Sequence, residues 1–174
     1  MGDLSVNEAL ALMPLPLVIV TTESRDGRRA GMTAAWVTQV SWKPSYVAVA
    51  IYNKWTTLKV ILESGEFAIN YVSPSLSKVA LEVFGSLSSS RVDKFEVASK
   101  KYNTRIGYGK SVKVPVLLDA PVIIECRLLK YFEIGDHYLV VCDPVLAYRG
   151  GGEEPISFYR GKLHTLSEYR VNQG

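Results

Sequence analysis

Three short stretches carry the side chains that could hold a phosphorylated ligand. They are Met32-Thr33-Ala34-Ala35-Trp36, Tyr52-Asn53-Lys54-Trp55-Thr56-Thr57 and Ser88-Ser89-Ser90-Arg91-Val92-Asp93-Lys94-Phe95. Each joins small residues, which let a ligand approach the backbone, to hydroxyls or cations. Thr56-Thr57 precede Leu58, Ile61 and Leu62 at helical spacing, and a helix start offers an anion free N–H groups and partial positive charge. Arg91 and Lys94 could close on the same phosphate from a serine-rich loop. Each stretch also has a plainer reading: a strand with small inward residues, a helix N-cap and a solvated polar loop.

Other chemistry is poorly supported. Gly107-Tyr108-Gly109 lacks the third glycine of a dinucleotide turn and follows no strand. Gly109-Lys110-Ser111 resembles the end of a phosphate-binding loop, but Thr104 stands where the first glycine is required. Ser75 and Lys78 have the S-x-x-K spacing without its companion motifs, and no G-x-S-x-G occurs. His137 and His164 have no cysteine pair or second histidine at zinc-ligand spacing, so no metal is expected.

The 174 residues suit one domain spanning 1–174. A hydrophobic share of 48% with 21% charged residues is that of an ordinary globular chain. The net charge of +3 is too small and scattered to argue for nucleic acid, which is not expected as a partner, and suits a small anionic ligand. Cys126 and Cys142 are far apart in sequence and are read as reduced core residues. No apolar run reaches the ~18 residues of a membrane span, and the N-terminus lacks the pattern of a signal peptide. A cytoplasmic location is expected.

The elements that must position these groups can be read in order. Ser5 and Glu8 form a capping box, predicting a short helix over 5–13 that stops before Pro14. Leu17 to Thr22 reads as a buried strand, Asp26-Gly27 as a hairpin turn, and Ala30 to Val40 as the return strand, with Gly31 read as the mark of a bulge. Tyr46 to Tyr52 is a third strand after a Lys43-Pro44 turn. A helix then runs to Gly65, and Glu66 to Val72 is the next strand. Ser73-Pro74 opens a second helix whose apolar face is Leu76, Val79, Ala80 and Val83, ending at Gly85. Residues 86–115 read as a long surface loop with at most one helical turn. Pro121 to Tyr131 reads as an edge or entry strand, and Tyr138 to Val145 as an apolar strand. Arg149 to Glu154 is a loop tip, Ile156 to Tyr159 a short strand, and the rest a tail. Six or seven strands joined mostly by turns point to an antiparallel barrel or sandwich.

The order of these pieces resembles the flavin reductase-like, FMN-binding split-barrel family, which includes flavoredoxins and the reductase components of two-component monooxygenases. The matching text is the P-x-x-V-x-I-V-T-T of Pro14–Thr22, Asp26-Gly27, Met32–Trp36, Val40–Pro44, Val47–Val49, Thr56–Ile61, Ser64–Asn70, Ser90–Phe95 and Gly135-Asp136-His137. The resemblance covers about Leu15 to Leu163. It implies a mainly β fold: a split antiparallel Greek-key barrel with a few short helices. It implies a homodimer binding FMN, or FAD, with NAD(P)H as co-substrate. Thr33, Ala34, Ala35 and Trp36 would border the flavin ring. Tyr52, Asn53, Lys54, Trp55, Thr56 and Thr57 would reach the ribityl chain and phosphate, joined by Ser89, Ser90, Arg91 and Lys94. His137 would lie on the flavin or nicotinamide side as the catalytic candidate. The implied activity is NAD(P)H-dependent hydride transfer to flavin, with electrons passed to ferric iron, oxygen or a partner oxygenase. The alternative is a flavoredoxin-like electron carrier with no nicotinamide site.

Overall fold

Ser5 opens α1 (Val6–Leu10): its side chain accepts from the Glu8 N–H while the Glu8 carboxylate accepts from the Ser5 N–H. This computed structural model describes residues 2–169. β1 (Leu15–Pro16) leads into β2 (Val18–Glu23), and the chain reverses at Asp26-Gly27, where Gly27 has φ 84°, into β3 (Arg29–Ala34). β4 (Val37–Trp42) and β5 (Ser45–Tyr52) form a second hairpin around Lys43-Pro44. α2 (Thr56–Ser64) ends on Gly65 in the left-handed region and is followed by β6 (Glu66–Tyr71). α3 (Lys94–Tyr102), β7 (Ile106–Tyr108) and β8 (Pro115–Leu117) come next. Two long strands, β9 (Val122–Ile134) and β10 (His137–Arg149), and the hairpin of β11 (Ile156–Tyr159) with β12 (Lys162–Thr165) complete the described chain.

Seven strands form one antiparallel sheet in the order β3-β2-β6-β9-β10-β5-β4. Its outermost strands, β3 and β4, are consecutive in sequence and joined by Ala35-Trp36 alone. The three steps from Ala34 to Val37 span at most about 11 Å, so the two edges are held close together and the sheet curls into a barrel. Beside that link, Ala50 N–H donates to the Trp36 carbonyl (3.0 Å), carrying the β4–β5 ladder one step past Val37. Alternation along β2 sends Val18 and Val20 into the barrel with Ile51, Phe67, Ile69 and Val140. Leu17 and Ile19 pack on the opposite side with Leu76, Val79, Phe84, Phe95 and Val116. Both faces of β2 are thus buried, which explains its unbroken apolar reading. Cys126 and Cys142 are free thiols inside the barrel.

Several expectations need correction. Residues 30–40 are two strands, because the chain leaves one sheet edge for the other at Ala35-Trp36. Gly31 is not a bulge: it pairs regularly with Thr21. A Cβ there would lie 2.7 Å from the Phe84 ring, so the glycine makes room for an aromatic side chain. The helix after Pro74 is a 3-10 turn at Pro74–Leu76 followed by a π-helix at Val79–Phe84. Within 86–115 lies α3, whose Asp93 N-cap accepts from Phe95 N and Glu96 N and whose Phe95 and Ala98 are buried. β9 is no edge at its start, since residues 123–127 pair with β6 on one side and β10 on the other; Pro121 only precedes it. The tail folds back as β12 through Thr165, and residues 170–174 lie outside the described region.

Gly109-Lys110-Ser111 does form an anion cradle, but an internal one. The buried Glu125 carboxylate accepts from Lys110 N (2.6 Å), Ser111 N (2.6 Å) and Val112 N (2.9 Å). Burial pushes its pKa up, the three N–H groups push it down, and the net value lies below the usual carboxylate range.

Candidate functional site

Two of the three stretches meet the third at one cavity of about 320 Å³, the lower end of the ~300–1,000 Å³ usual for ligand pockets. Its walls are Gly31 to Thr33 of β3, Lys54 to Thr57 at the start of α2, Phe84 to Ser90 after the π-helix, and Lys94 at the start of α3. No carboxylate is among them.

The α2 terminus is open. Its N-cap is Trp55, whose side chain makes no capping bond, so Thr56 and Thr57 lie in the first turn rather than capping it. First-turn N–H groups have no partner four residues back, and here they abut the cavity with the exposed Lys54. A tryptophan cannot cap a helix, which leaves that end to a ligand or water.

Lys94, at the start of α3, lines the same cavity. Its side chain is buried, and its Nζ donates to the carbonyls of Gly31 (2.8 Å) and Phe84 (2.9 Å). An ammonium has three donors, so one remains. Burial lowers its pKa to about 8, because no carboxylate offsets the lost hydration.

Most hydroxyls at the cavity are spent on the fold. Thr33 Oγ1 donates to the Ala80 carbonyl and Ser86 Oγ to that of Leu81. Ser89 Oγ brackets Gly31, accepting from its N–H and donating to its carbonyl, both at 3.2 Å. Ser88 and Ser90 share one bond at 2.8 Å, which leaves one hydroxyl hydrogen between them. Ser90 has no positive φ; among non-glycine residues only Asn103 and Arg160 do in the described chain.

Thr33, Lys54, Trp55, Thr56, Thr57, Ser89, Ser90 and Lys94 therefore line this cavity, whereas Ala34, Ala35, Trp36, Tyr52, Asn53 and Arg91 do not. Strand alternation separates Ala34, buried in the barrel, from Thr33. Arg91 is exposed on the turn. Trp36 and Tyr52 belong to a neighbouring aromatic group centred on His137, with ring centroids 4.9 Å and 5.6 Å from the imidazole. His137 Nδ1 lies 2.6 Å from Asp136 Oδ1, and that bond holds the Asp136 carboxyl below its ordinary value. Asn53 links the two regions through its N–H, which donates to the Asp136 carbonyl (3.0 Å). Its Oδ1 is buried without a partner.

The sequence reading missed Gly31, Phe84, Gly85, Ser86 and Leu87 as lining residues; Met32 and Ser88 lay in the stretches it singled out but were given no role of their own. The usable signal was the helix stop at Gly85 directly before a serine run, which places that helix end beside Ser88–Ser90. Among the described residues, no cluster of three His, Cys, Asp or Glu could hold a metal, and no helix is long and apolar enough to cross a membrane.

A family model described as a flavin reductase like domain matches residues 10–167. The NADH:riboflavin 5'-phosphate oxidoreductase of Streptomyces pristinaespiralis is 30% identical over 165 residues, covering 94% of this chain and 88% of that protein. The solved NADH:FAD oxidoreductase of Streptomyces globisporus superposes with a TM-score of 0.83 at 20% identity, covering 97% of this chain and 99% of the other. Flavoredoxin from Methanosarcina acetivorans gives 0.83 at 20% identity, with 99% and 96% covered.

Proposed function

Because the chain is an oxidoreductase that belongs to the flavin reductase-like family, we propose that it binds FMN and passes electrons from NAD(P)H through the flavin to an acceptor. Bound flavin would supply the hydride-accepting chemistry, so the protein needs no nucleophile or metal of its own. The observation that carries this reading is the uncapped α2 terminus sharing with Lys94 a cavity without carboxylates. Every charged or strongly polar group free to act there is a donor, and a phosphate is all acceptor. Thr56, Thr57 and Leu58 would hold the phosphate with their N–H groups, with Lys94 and Lys54 balancing its charge.

Thr33 to Trp36 lead from that cavity along the barrel seam to His137, the route a ring attached to the phosphate would take. Ala34 and Ala35 are small, so the backbone there would let the ring approach closely. His137, oriented by Asp136, faces the proposed nicotinamide side. FAD would use the same phosphate grip. The whole chain would act as one binding domain within a cytoplasmic homodimer, with ferric iron, oxygen or a partner oxygenase as acceptor. The test is an anaerobic absorption spectrum before and after NADH and then NADPH. Bleaching of the flavin bands is expected and identifies the pyridine nucleotide. A yellow protein that ignores both is an electron carrier of the flavoredoxin type, and a chain that takes up no FMN refutes the reading.

A further inference from the structure

Two asparagines show what a buried amide normally does and what one here does not. Asn70 spends its amide fully: Nδ2 donates to the Ile19 carbonyl and Thr21 Oγ1, both at 3.0 Å, and Oδ1 accepts from Leu117 N (2.9 Å). Asn53 Oδ1 is buried with no partner, which is true of no other side-chain nitrogen or oxygen among the described residues. A buried acceptor without a donor is costly, and folded proteins almost always supply one.

The position of Asn53 narrows what could supply it. Tyr52 on one side touches the His137 ring, and Lys54 on the other lines the phosphate cavity. The bond from its N–H to the Asp136 carbonyl fixes the backbone between them. Phosphate oxygens cannot satisfy Oδ1, since both are acceptors. The oxidised flavin ring carries a single N–H, at N3, and its other heteroatoms accept. Resting on the flavin reading above, we propose that Asn53 Oδ1 accepts the hydrogen bond of the flavin N3–H and so orients the ring in its plane. A flipped ring would set a carbonyl oxygen against Oδ1, two acceptors with no proton between them.

The experiment titrates FMN and 3-methyl-FMN into the flavin-free full chain, wild type and Asn53→Ala, and follows flavin fluorescence, with melting curves of both flavin-free proteins. The wild type should prefer FMN by about tenfold or more, the scale of one buried hydrogen bond. Asn53→Ala should lose that preference through weaker FMN binding, with 3-methyl-FMN affinity unchanged. The flavin-free variant should melt no lower than the wild type, because an unsatisfied acceptor has been removed. A wild type without the preference overturns the assignment and points to a ribityl hydroxyl. So does a variant that keeps the preference, or one that gains affinity for 3-methyl-FMN with FMN unchanged, which would mark the discrimination as steric. Failure of the wild type to bind either compound would sink the flavin reading itself.

Discussion

Lys94 makes the phosphate assignment measurable as a pH effect. Its ammonium sits in a buried position on two carbonyls, and its pKa has fallen to about 8. An arriving phosphate would bring the counter-charge the site lacks and raise that value again. Phosphate and proton then favour each other's binding by the same factor. Below pH ~8 Lys94 is already charged and FMN affinity should be level. Above it, affinity should fall by up to ~10-fold per pH unit, until the raised value in the complex is reached. Riboflavin, which lacks the phosphate, should show no such fall. Lys94→Ala should weaken FMN by about 1–3 kcal/mol at neutral pH, the scale of a charge-assisted hydrogen bond, and should flatten the profile. The assay is fluorescence titration of both flavins from about pH 6.5 to about 9.5, a window that brackets the lysine. An FMN curve level through pH ~9, or FMN and riboflavin falling in parallel, would refute the assignment. The sign for the flavin-free protein is opposite: the unfolded lysine holds its proton above pH 8 more tightly than the folded one does, so stability should rise with pH from about 8 to about 10.5.

Three further outcomes are expected. Glu125→Ala strands three backbone N–H groups and should cost about 2–5 kcal/mol in denaturant unfolding. In the native chain, whose Glu125 pKa is depressed, that stability is present above the unfolded value and lost as pH falls through the folded one; Glu125→Gln should unfold with less acid sensitivity. Gly31→Ala sets a Cβ against the Phe84 ring at the cavity wall and should lower stability by about 1–3 kcal/mol while weakening FMN, as thermal melts and flavin titration would show. Light scattering should give twice the 19.3 kDa chain mass, because Trp42, Tyr131, Phe132 and Ile134 leave large apolar side chains exposed; a flavin-loaded monomer contradicts the homodimer.

The strands were legible wherever period and turn chemistry agreed. The capping box at Ser5, the Asp26-Gly27 turn and the Gly65 stop all stand where local chemistry puts them. What stayed hidden is set by long-range pairing. Nothing in Ala30 to Val40 marks the change of partner at Ala35-Trp36, because the residues suit a strand on either edge. Asp93 with Phe95, Ala98 and Tyr102 did carry a helix signal, masked by the polar run around it. At the site, residue types pointed to a phosphate cradle, but not to how each donor is used. Lys94 is divided between two carbonyls and the cavity, and most of the hydroxyls hold the loop together.

The two-residue link at Ala35-Trp36 governs when the site can come into being. The hairpins on either side of it, β2–β3 and β4–β5, need only the first fifty or so residues. Their edges are brought together by β6, β9 and β10, the last of which ends at Arg149. Closing such distant pairings is the slow part of folding a β protein. On the ribosome, the two hairpins leave as separate, uncommitted pieces, and the groove between them takes shape only when the chain has grown past β10. Nascent chains stalled before Arg149 should therefore fail to capture flavin although the α2 terminus and Lys94 have already been synthesised.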